Sequence, residues 1–321
     1  MRGCSEMTAQ LMKIDNCEVT AQFSESLIVR FTKFAGVTES SRVTYSKSLR
    51  QMFKYFTANA VTMPTRENLI DWINDMKAAG RSASTIQLYV SSAKIFFRWL
   101  SQENLYPNIA DHLKTGVKVS HNHKKDALSP EQCRELVANV DGNSVKNLRD
   151  RAILTLMTTA GLRTIEVVRA NVGDIRFERG KVFLYVTGKG HADADEKVLL
   201  SRQAHKAIRE YLKARGKVQS SAPLFVSTSR RNSGARLETQ TVSRLVKRNL
   251  RGIGLDSPRL TAHSLRHAVA TNLIFAGVEL PKVQMVLRHK SLSTTMIYAA
   301  AWERYNNDGE QILADLIFKR R

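Results

Sequence analysis

The sequence predicts a mainly α-helical protein with a small β-sheet, divided into two domains. Three observations lead to this fold class. Apolar residues recur at helical spacing through most of the chain, a stretch near residues 180–200 alternates as β-strands do, and a polar, basic segment separates two regions that are each long enough to bury a core. The 321 residues are 43% hydrophobic and 25% charged, which is usual for globular proteins.

Changes in composition along the chain indicate four parts. Residues 1–19 are predicted to form a flexible N-terminus, residues 20–105 a helical domain, and residues 106–126 a polar linker between the domains. Residues 127–321 are predicted to form a second domain of mixed α/β structure, which ends in a tail at residues 302–321.

Four amphipathic segments predict a small helical bundle in the first domain. The third segment has the clearest limits, because Thr65 and Asn68 form a capping pattern at its start and Gly80 follows its end. Apolar residues on these helices are predicted to face the core: Leu27, Ile28, Phe31, Phe34, Val43, Leu49, Met52, Phe53, Phe56, Ile86, Tyr89, Val90, Ala93, Phe96, Phe97 and Leu100.

The opposite faces of these helices carry many basic residues. Any one of them could simply be solvated. Taken together with the Ser- and Thr-rich helix starts, however, they suit contacts to DNA phosphates. The candidates are Arg42, Lys47, Arg50, Lys54, Arg81, Lys94 and Arg98.

The second domain begins with a well-marked helix start, in which Ser129 is the N-cap, Pro130 is the first helical residue and Gln132 completes a capping box. NLRDRAILTLMTTAG predicts a buried helix. GKVFLYVTGKG and EKVLL alternate, which predicts a hairpin or a three-stranded sheet. TVSRLVKRNLRG predicts a basic helix suited to a DNA groove. The basic candidates in this region are Arg230, Arg231, Arg244, Lys247 and Arg248.

The net charge is far from balanced. Fifty Lys and Arg face 29 Asp and Glu, which gives +21 and a pI near 10.1. Such an excess favours polyanions, and nucleic acid is the default partner, although ribosomal and membrane-surface proteins share the trait. Three scattered cysteines lack metal-ligand spacing and suit a reducing compartment, and no apolar run is long enough for a membrane helix. We therefore expect a cytoplasmic protein.

Residues 261–298 contain the side chains that are best suited to catalysis. His263 and Arg266 share one helix face at a spacing of three, and His289 and Tyr298 follow. Pro281 is predicted to open a helix before His289, and 291–295 is predicted to be a polar turn that leads to Tyr298. Two imidazoles, a guanidinium and a phenol suit attack by a tyrosine on a phosphodiester.

Three motifs, HSLRH, LRHKSLSTTMIY and the upstream TTAGLRTIEVV, together resemble the tyrosine recombinases, the phage-integrase family. The resemblance is close over residues 127–321 and less specific over residues 20–105. It implies a two-domain DNA clamp, in which a helical core-binding bundle and a catalytic domain surround duplex DNA. The catalytic residues that it implies are Arg163, Lys189, His263, Arg266, His289 and the nucleophile Tyr298. Arg288 departs from the pattern, because the family usually has glycine there; it is interpreted as an added phosphate contact or a change in how His289 is held.

Each implied residue has a chemical role. Arg163 and Arg266 can stabilise a phosphorane, because guanidinium groups stay charged and bind phosphate oxygens bidentately; the alternative for Arg163 is an ion pair with Glu166. His263 is expected to accept or shuttle the proton of Tyr298, and His289 to bind a phosphate oxygen. Lys189, on the turn TGKG, is expected to protonate the 5′ leaving oxygen, although a lysine on a loop is usually only solvated.

The resemblance implies a site-specific DNA recombinase that works through a 3′-phosphotyrosyl link and a Holliday junction. Its expected partners are double-stranded DNA with a specific core site and, in the synaptic complex, three further copies that form a homotetramer; free protein is expected to be monomeric or dimeric. No metal and no cofactor are expected, because clustered carboxylates are lacking. Residues 1–19 are too short for an arm-binding domain, which favours the simple Xer- or Cre-like type.

Several alternatives stay open. A type IB topoisomerase uses similar chemistry without a defined site, and a DNA-binding regulator would keep the fold without catalysis. His121-Asn122-His123 could suggest an HNH nuclease or a metal site, but adjacent linker histidines lack the separated scaffold that such a site needs. The tail carries an apolar face, which either folds back on its own domain or docks into a neighbouring subunit. Its apolar residues are Ile312, Leu313, Leu316, Ile317 and Phe318.

Overall fold

The computed structural model describes residues 25–34, 38–118, 126–187, 196–298 and 307–318. The chain forms two compact units, Met1–Ser120 and His121–Arg321. The predicted flexible N-terminus and His121-Asn122-His123 lie outside the described residues.

The first unit is a helical bundle, as predicted. Its described helices are α1 (Glu25–Phe34), α2 (Glu39–Ala58), α3 (Arg66–Ala78) and α4 (Ala83–Gln102). The capping box at α3 is confirmed, because the Thr65 side chain accepts from the backbone N–H of Asn68 and the Asn68 side chain accepts from the backbone N–H of Thr65. Phe31, Phe96 and Phe97 are fully buried aromatic residues at the centre of the core.

The apolar stripe of α2 is confirmed except for Val43. Leu49, Met52, Phe53 and Phe56 are buried, whereas Val43 is 62% exposed. At 100° per residue, Val43 lies roughly 130° from the centre of the stripe that the other four define, so helical geometry itself directs it to solvent. Tyr89 on α4 is only partly buried, and the side chain of Phe34 lies outside the described set.

The first part of the predicted linker belongs to the bundle instead. Ala110 and Leu113 are buried in the core of the first unit. The Tyr106 hydroxyl donates to the Pro64 carbonyl at 2.8 Å, and Arg66 donates to the Asp111 carbonyl at 2.7 Å. These anchors have neither helical nor strand spacing, which explains why the sequence pattern did not show them.

The second unit combines helices with one small sheet, which confirms the predicted fold class. Its helices are α5 (Pro130–Ala138), α6 (Val145–Ala160), α7 (Thr164–Arg169), α8 (Arg202–Arg215), α9 (Thr239–Gly252), α10 (Ala262–Phe275), α11 (Leu280–Leu287) and α12 (Gly309–Phe318). Strands β1 (Ile175–Glu178), β2 (Lys181–Val186) and β3 (Glu196–Leu199) pair antiparallel in the order β1-β2-β3, so the three-stranded alternative is correct. The predicted capping box at Ser129 is present.

Helix α6 lies at the centre of this unit and packs against α8 and α10. It ends at Gly161, which adopts a left-handed conformation with φ of +60°. A Cβ atom at Gly161 would come within 2.9 Å of the Leu287 side chain. Glycine therefore permits both the turn that leads to Arg163 and the close approach of α11.

Two segments near the C-terminus complete the described chain. Residues 293–298 are helical, so the predicted polar turn ends three residues earlier than expected. No residue of α12 is buried, and the exposed fraction reaches 76% at Leu316 and 80% at Phe318. The apolar face of the tail thus stays uncovered by the part of the chain that the structure describes. No helix among the described residues has the length and apolar character needed to cross a membrane.

Candidate active site

Five of the six predicted catalytic residues lie in the second unit, and the chain brings them together from four places. Arg163 lies at the start of α7, His263 and Arg266 on α10, His289 after α11, and Tyr298 in the helical segment 293–298. The sixth residue, Lys189, lies outside the described residues, between β2 and β3.

Arg163 is fixed by a buried carboxylate. Its backbone N–H donates to Glu166 Oε2 at 2.8 Å, and its Nη1 donates to Oε1 at 2.5 Å. Glu166 is fully buried. The ion pair that the sequence left as an alternative is therefore present, and it holds the guanidinium at the site while its side chain keeps some exposure to solvent.

Arg266 is buried and held by two backbone carbonyls. Its Nη1 donates to the Gly161 carbonyl at 2.7 Å and its Nη2 donates to the Leu287 carbonyl. Burial and then repulsion from Arg163 and Arg288 lower the pKa of Arg266 to about 9. The guanidinium still carries its charge at neutral pH, and the clustered arginines favour an anionic ligand such as phosphate.

His289 is positioned by a threonine that sequence analysis missed. His289 Nδ1 lies 2.9 Å from Thr295 Oγ1, and Thr295 is fully buried. Burial, followed by repulsion from Arg266 and other nearby cations, lowers the pKa of His289 to about 4. The imidazole is therefore neutral at neutral pH, and its second nitrogen can donate to a phosphate oxygen without carrying charge. The sequence signal for Thr295 is its place one turn before the nucleophile candidate.

Tyr298 is buried, and its hydroxyl forms a hydrogen bond with His267 Nδ1. Burial raises the pKa of Tyr298 to about 12, and Arg266 partly opposes that shift. The phenol is therefore protonated at neutral pH and needs a proton acceptor to become a nucleophile.

The imidazole that forms a hydrogen bond with the tyrosine hydroxyl belongs to His267, one helical turn after His263. The role of His263 as proton acceptor or shuttle stays a prediction. The His263 ring lies next to that of His267, with 4.5 Å between the ring centroids, and His263 is exposed. Sequence analysis missed His267, although its spacing of four from His263 in HSLRH places both rings on one helix face.

Arg288, predicted to contact DNA or to change how His289 is held, is directed toward a buried carboxylate. Its side chain is 6% exposed and donates to Glu166 Oε2 at 2.8 Å and to the Val286 carbonyl at 2.7 Å. Its backbone is left-handed, with φ of +54°. A fully buried carboxylate attracts the guanidinium inward, and Arg288 thereby becomes part of the support of the site.

The other predicted DNA-binding residues remain at least partly accessible. Four of them form ion pairs within the protein: Arg42 with Glu39 at 3.5 Å, Arg50 with Glu25, Lys247 with Asp256 at 2.9 Å, and Arg248 with Asp150 at 2.9 Å. The other seven, all exposed or half-buried, are Lys47, Arg81, Lys94, Arg98, Arg230, Arg231 and Arg244. Within the described ranges, no group of three or more His, Cys, Asp and Glu side chains could hold a metal ion.

Comparisons with known proteins agree with this geometry. The Phage integrase family matches residues 126–304, and the description "Phage integrase, N-terminal SAM-like domain" matches residues 26–104. The chain belongs to the phage integrase family, whose tyrosine recombinases cleave and rejoin DNA strands.

Individual relatives indicate which kind of tyrosine recombinase the chain resembles. Tyrosine recombinase XerA of Pyrococcus horikoshii is 30% identical over 256 residues, which cover 79% of this chain and 83% of XerA. A XerH site-specific recombinase bound to palindromic difH in a post-cleavage complex is similar in fold, with a TM-score of 0.68, 21% identity, and coverage of 86% of this chain and 79% of that one. A lambda integrase tetramer bound to a Holliday junction gives a TM-score of 0.63 at 17% identity, covering 84% and 76%. The chain is a tyrosine recombinase of the Xer type.

Proposed function

We propose that Tyr298 is the nucleophile of this recombinase and that Arg163, Arg266 and His289 bind the scissile phosphate. The observation that carries the proposal is the fixed cluster itself. Backbone carbonyls hold Arg266 and a buried carboxylate holds Arg163, beside a neutral His289 and a buried Tyr298. Groups fixed before the substrate arrives need no reorganisation when charge develops on the phosphate.

In the proposed reaction, Tyr298 Oη forms a bond to phosphorus as the bond from phosphorus to the 5′ oxygen breaks. The phenolic proton passes to a base on the protein, and the leaving 5′ oxygen takes a proton from an acid, for which Lys189 is the proposed donor. The product is a 3′-phosphotyrosyl link. Attack by the 5′-hydroxyl of another strand reverses both proton transfers and frees Tyr298.

The proposed partner is double-stranded DNA with a specific core site, in the cytoplasm. Support comes from the charge of +21 and from exposed basic side chains on both units. We also infer that four copies assemble on DNA and that α12 docks into a neighbouring subunit. The uncovered apolar face of α12 supports docking, because a face of this kind is a liability on a monomer.

Covalent capture on nicked duplexes tests the proposal. Wild-type protein is mixed with a randomised pool of nicked duplexes, and the trapped DNA is sequenced. Tyr298→Phe should abolish the adduct and leave DNA affinity nearly unchanged, because the phenol oxygen makes the bond and distributed basic residues bind DNA. Tyr211→Phe, which alters a tyrosine in the core of the second unit, is the matched control and should keep the adduct.

The same experiment separates the alternatives. A recombinase traps a defined sequence, a type IB topoisomerase traps arbitrary DNA and relaxes supercoils, and a regulator traps nothing. An adduct that persists in Tyr298→Phe would assign the nucleophile to another tyrosine, Tyr305 first.

A further inference from the structure

The hydrogen bond between Tyr298 and His267 joins two buried side chains at the point where the nucleophile must lose its proton. At neutral pH the phenol carries its proton, because its pKa is raised to about 12. In the tautomer of His267 that carries its proton on Nε2, the hydroxyl donates and the lone pair of Nδ1 accepts. This is the geometry that a general base needs before the reaction begins.

Three other described groups of the site are poorly suited to take the proton. Arg266 is cationic and has no acceptor atom. His289 holds Thr295 through Nδ1, and its pKa of about 4 makes it a weak base. Glu166 is engaged with Arg163 and Arg288.

The surroundings of His267 also give the proton a route outward. The His263 ring lies edge-on to the His267 ring, with 4.5 Å between centroids, and His263 is exposed to solvent. The buried imidazole of His267 therefore contacts a second imidazole that reaches solvent.

We propose that His267 is the catalytic base that removes the proton of Tyr298, with His263 as its connection to solvent. The proposal rests on Tyr298 being the nucleophile. When Tyr298 Oη bonds to phosphorus, the phenolic proton moves to His267 Nδ1 and an imidazolium forms. When a 5′-hydroxyl attacks the phosphotyrosine, His267 returns the proton to the departing phenolic oxygen. The acid for the 5′ oxygen is a separate group, so each strand transfer leaves the proton count unchanged.

Single-turnover cleavage of the nicked duplex selected by the wild-type protein tests this role. His267→Ala removes the base, and His267→Gln keeps a hydrogen-bonding group but cannot carry a proton through the cycle. Both variants should lose about 100-fold or more in cleavage rate, the usual contribution of a general base. DNA affinity and thermal melting should stay close to wild type for His267→Gln. His205→Gln on α8 is the matched control and should cleave at the wild-type rate.

The pH profile and chemical rescue distinguish a base from a positioning group. In wild type, the cleavage rate should level off once His267 is neutral. In His267→Ala, the cleavage rate should keep rising with hydroxide concentration until the pH reaches the pKa of the phenol. Added imidazole should restore part of the lost cleavage rate. A His267→Gln variant that cleaves at the wild-type rate, or a His267→Ala variant with an unchanged profile and no response to imidazole, would overturn the proposal. Loss of the adduct in Tyr298→Phe is scored separately, so failure of the nucleophile assignment would be recognised.

Discussion

Arg288 allows a quantitative test of how the site is held together. Its guanidinium is bonded to the fully buried Glu166, while its backbone adopts the left-handed conformation that favours glycine. The two features act in opposite directions on stability. Arg288→Ala removes the ion pair and keeps the backbone strain, whereas Arg288→Gly removes both.

The magnitudes follow from these contacts. Removing one partner of a buried ion pair costs roughly 3–5 kcal/mol. Glu166 retains Arg163 at 2.5 Å, so the low end, about 3 kcal/mol, applies to Arg288→Ala. A left-handed non-glycine residue costs on the order of 1 kcal/mol, so Arg288→Gly should lose about 2 kcal/mol. Because glycine is usual in the family at this position, the glycine variant should also keep cleavage activity.

Native-state hydrogen exchange of α6 amides is the appropriate assay, because two of the three tryptophans, Trp72 and Trp99, lie in the first unit and their fluorescence reports on that unit. Arg209→Ala, at an exposed position on α8, is the control and should change stability by less than about 0.5 kcal/mol. A glycine variant no more stable than the alanine variant would refute the backbone argument. Two variants both within about 0.5 kcal/mol of wild type would refute the ion-pair argument.

The stability difference between wild type and Arg288→Ala should also depend on pH. Burial alone would raise the pKa of Glu166, but Arg288 and then Arg163 outweigh burial and hold it below its usual range. A carboxylate with a lowered folded-state pKa contributes stability above its unfolded-state pKa of about 4.3, and that contribution is lost as the pH falls through the folded-state value. The difference between wild type and Arg288→Ala should therefore be constant near neutral pH and shrink in acid below about pH 4.

Four further outcomes follow from the site and the tail. Lys189→Ala should impair cleavage of normal DNA but not of a 5′-bridging phosphorothiolate, since sulfur leaves without a proton; equal loss on both substrates would contradict the acid role. Cleavage should survive excess EDTA, and loss of activity that magnesium restores would contradict the proposed use of arginines. NMR titration should show that His289 stays neutral down to about pH 4. Because its unfolded-state pKa is about 6.5, the folded protein should lose stability as the pH falls from about 6.5 to about 4. Deleting residues 308–321 should preserve melting and single-site DNA binding but abolish synapsis, whereas a much lower melting temperature would show that the tail packs on its own subunit.

Local patterns account for what the sequence could predict. Capping at Thr65 and at Ser129 depends on residues three apart, so the helix starts were readable directly. The six catalytic candidates came from motifs whose spacing is also short-range. Val43 was assigned to the wrong face although helical periodicity contained the correct answer.

Contacts between distant segments account for what it could not. His267 meets Tyr298 across 31 positions, and Arg288 meets Glu166 across 122. Neither partner can be chosen from local spacing, because each depends on how α10 and α11 pack against the end of α6. An arginine in a basic protein is most often at the surface, and only the buried carboxylate makes Arg288 an exception.

Glu166 holds two arginines of the site by ion pairs within the protein. The carboxylate neutralises part of the charge on Arg163 and Arg288, but burial and then repulsion from these two arginines still lower the pKa of Arg266. A phosphate bound among the guanidiniums would reverse that repulsion, because opposite charge favours the ionised form. It would also stabilise the folded second unit, since any ligand that binds only the folded state does so. Binding at the scissile phosphate and folding of the second unit are therefore coupled through Arg266.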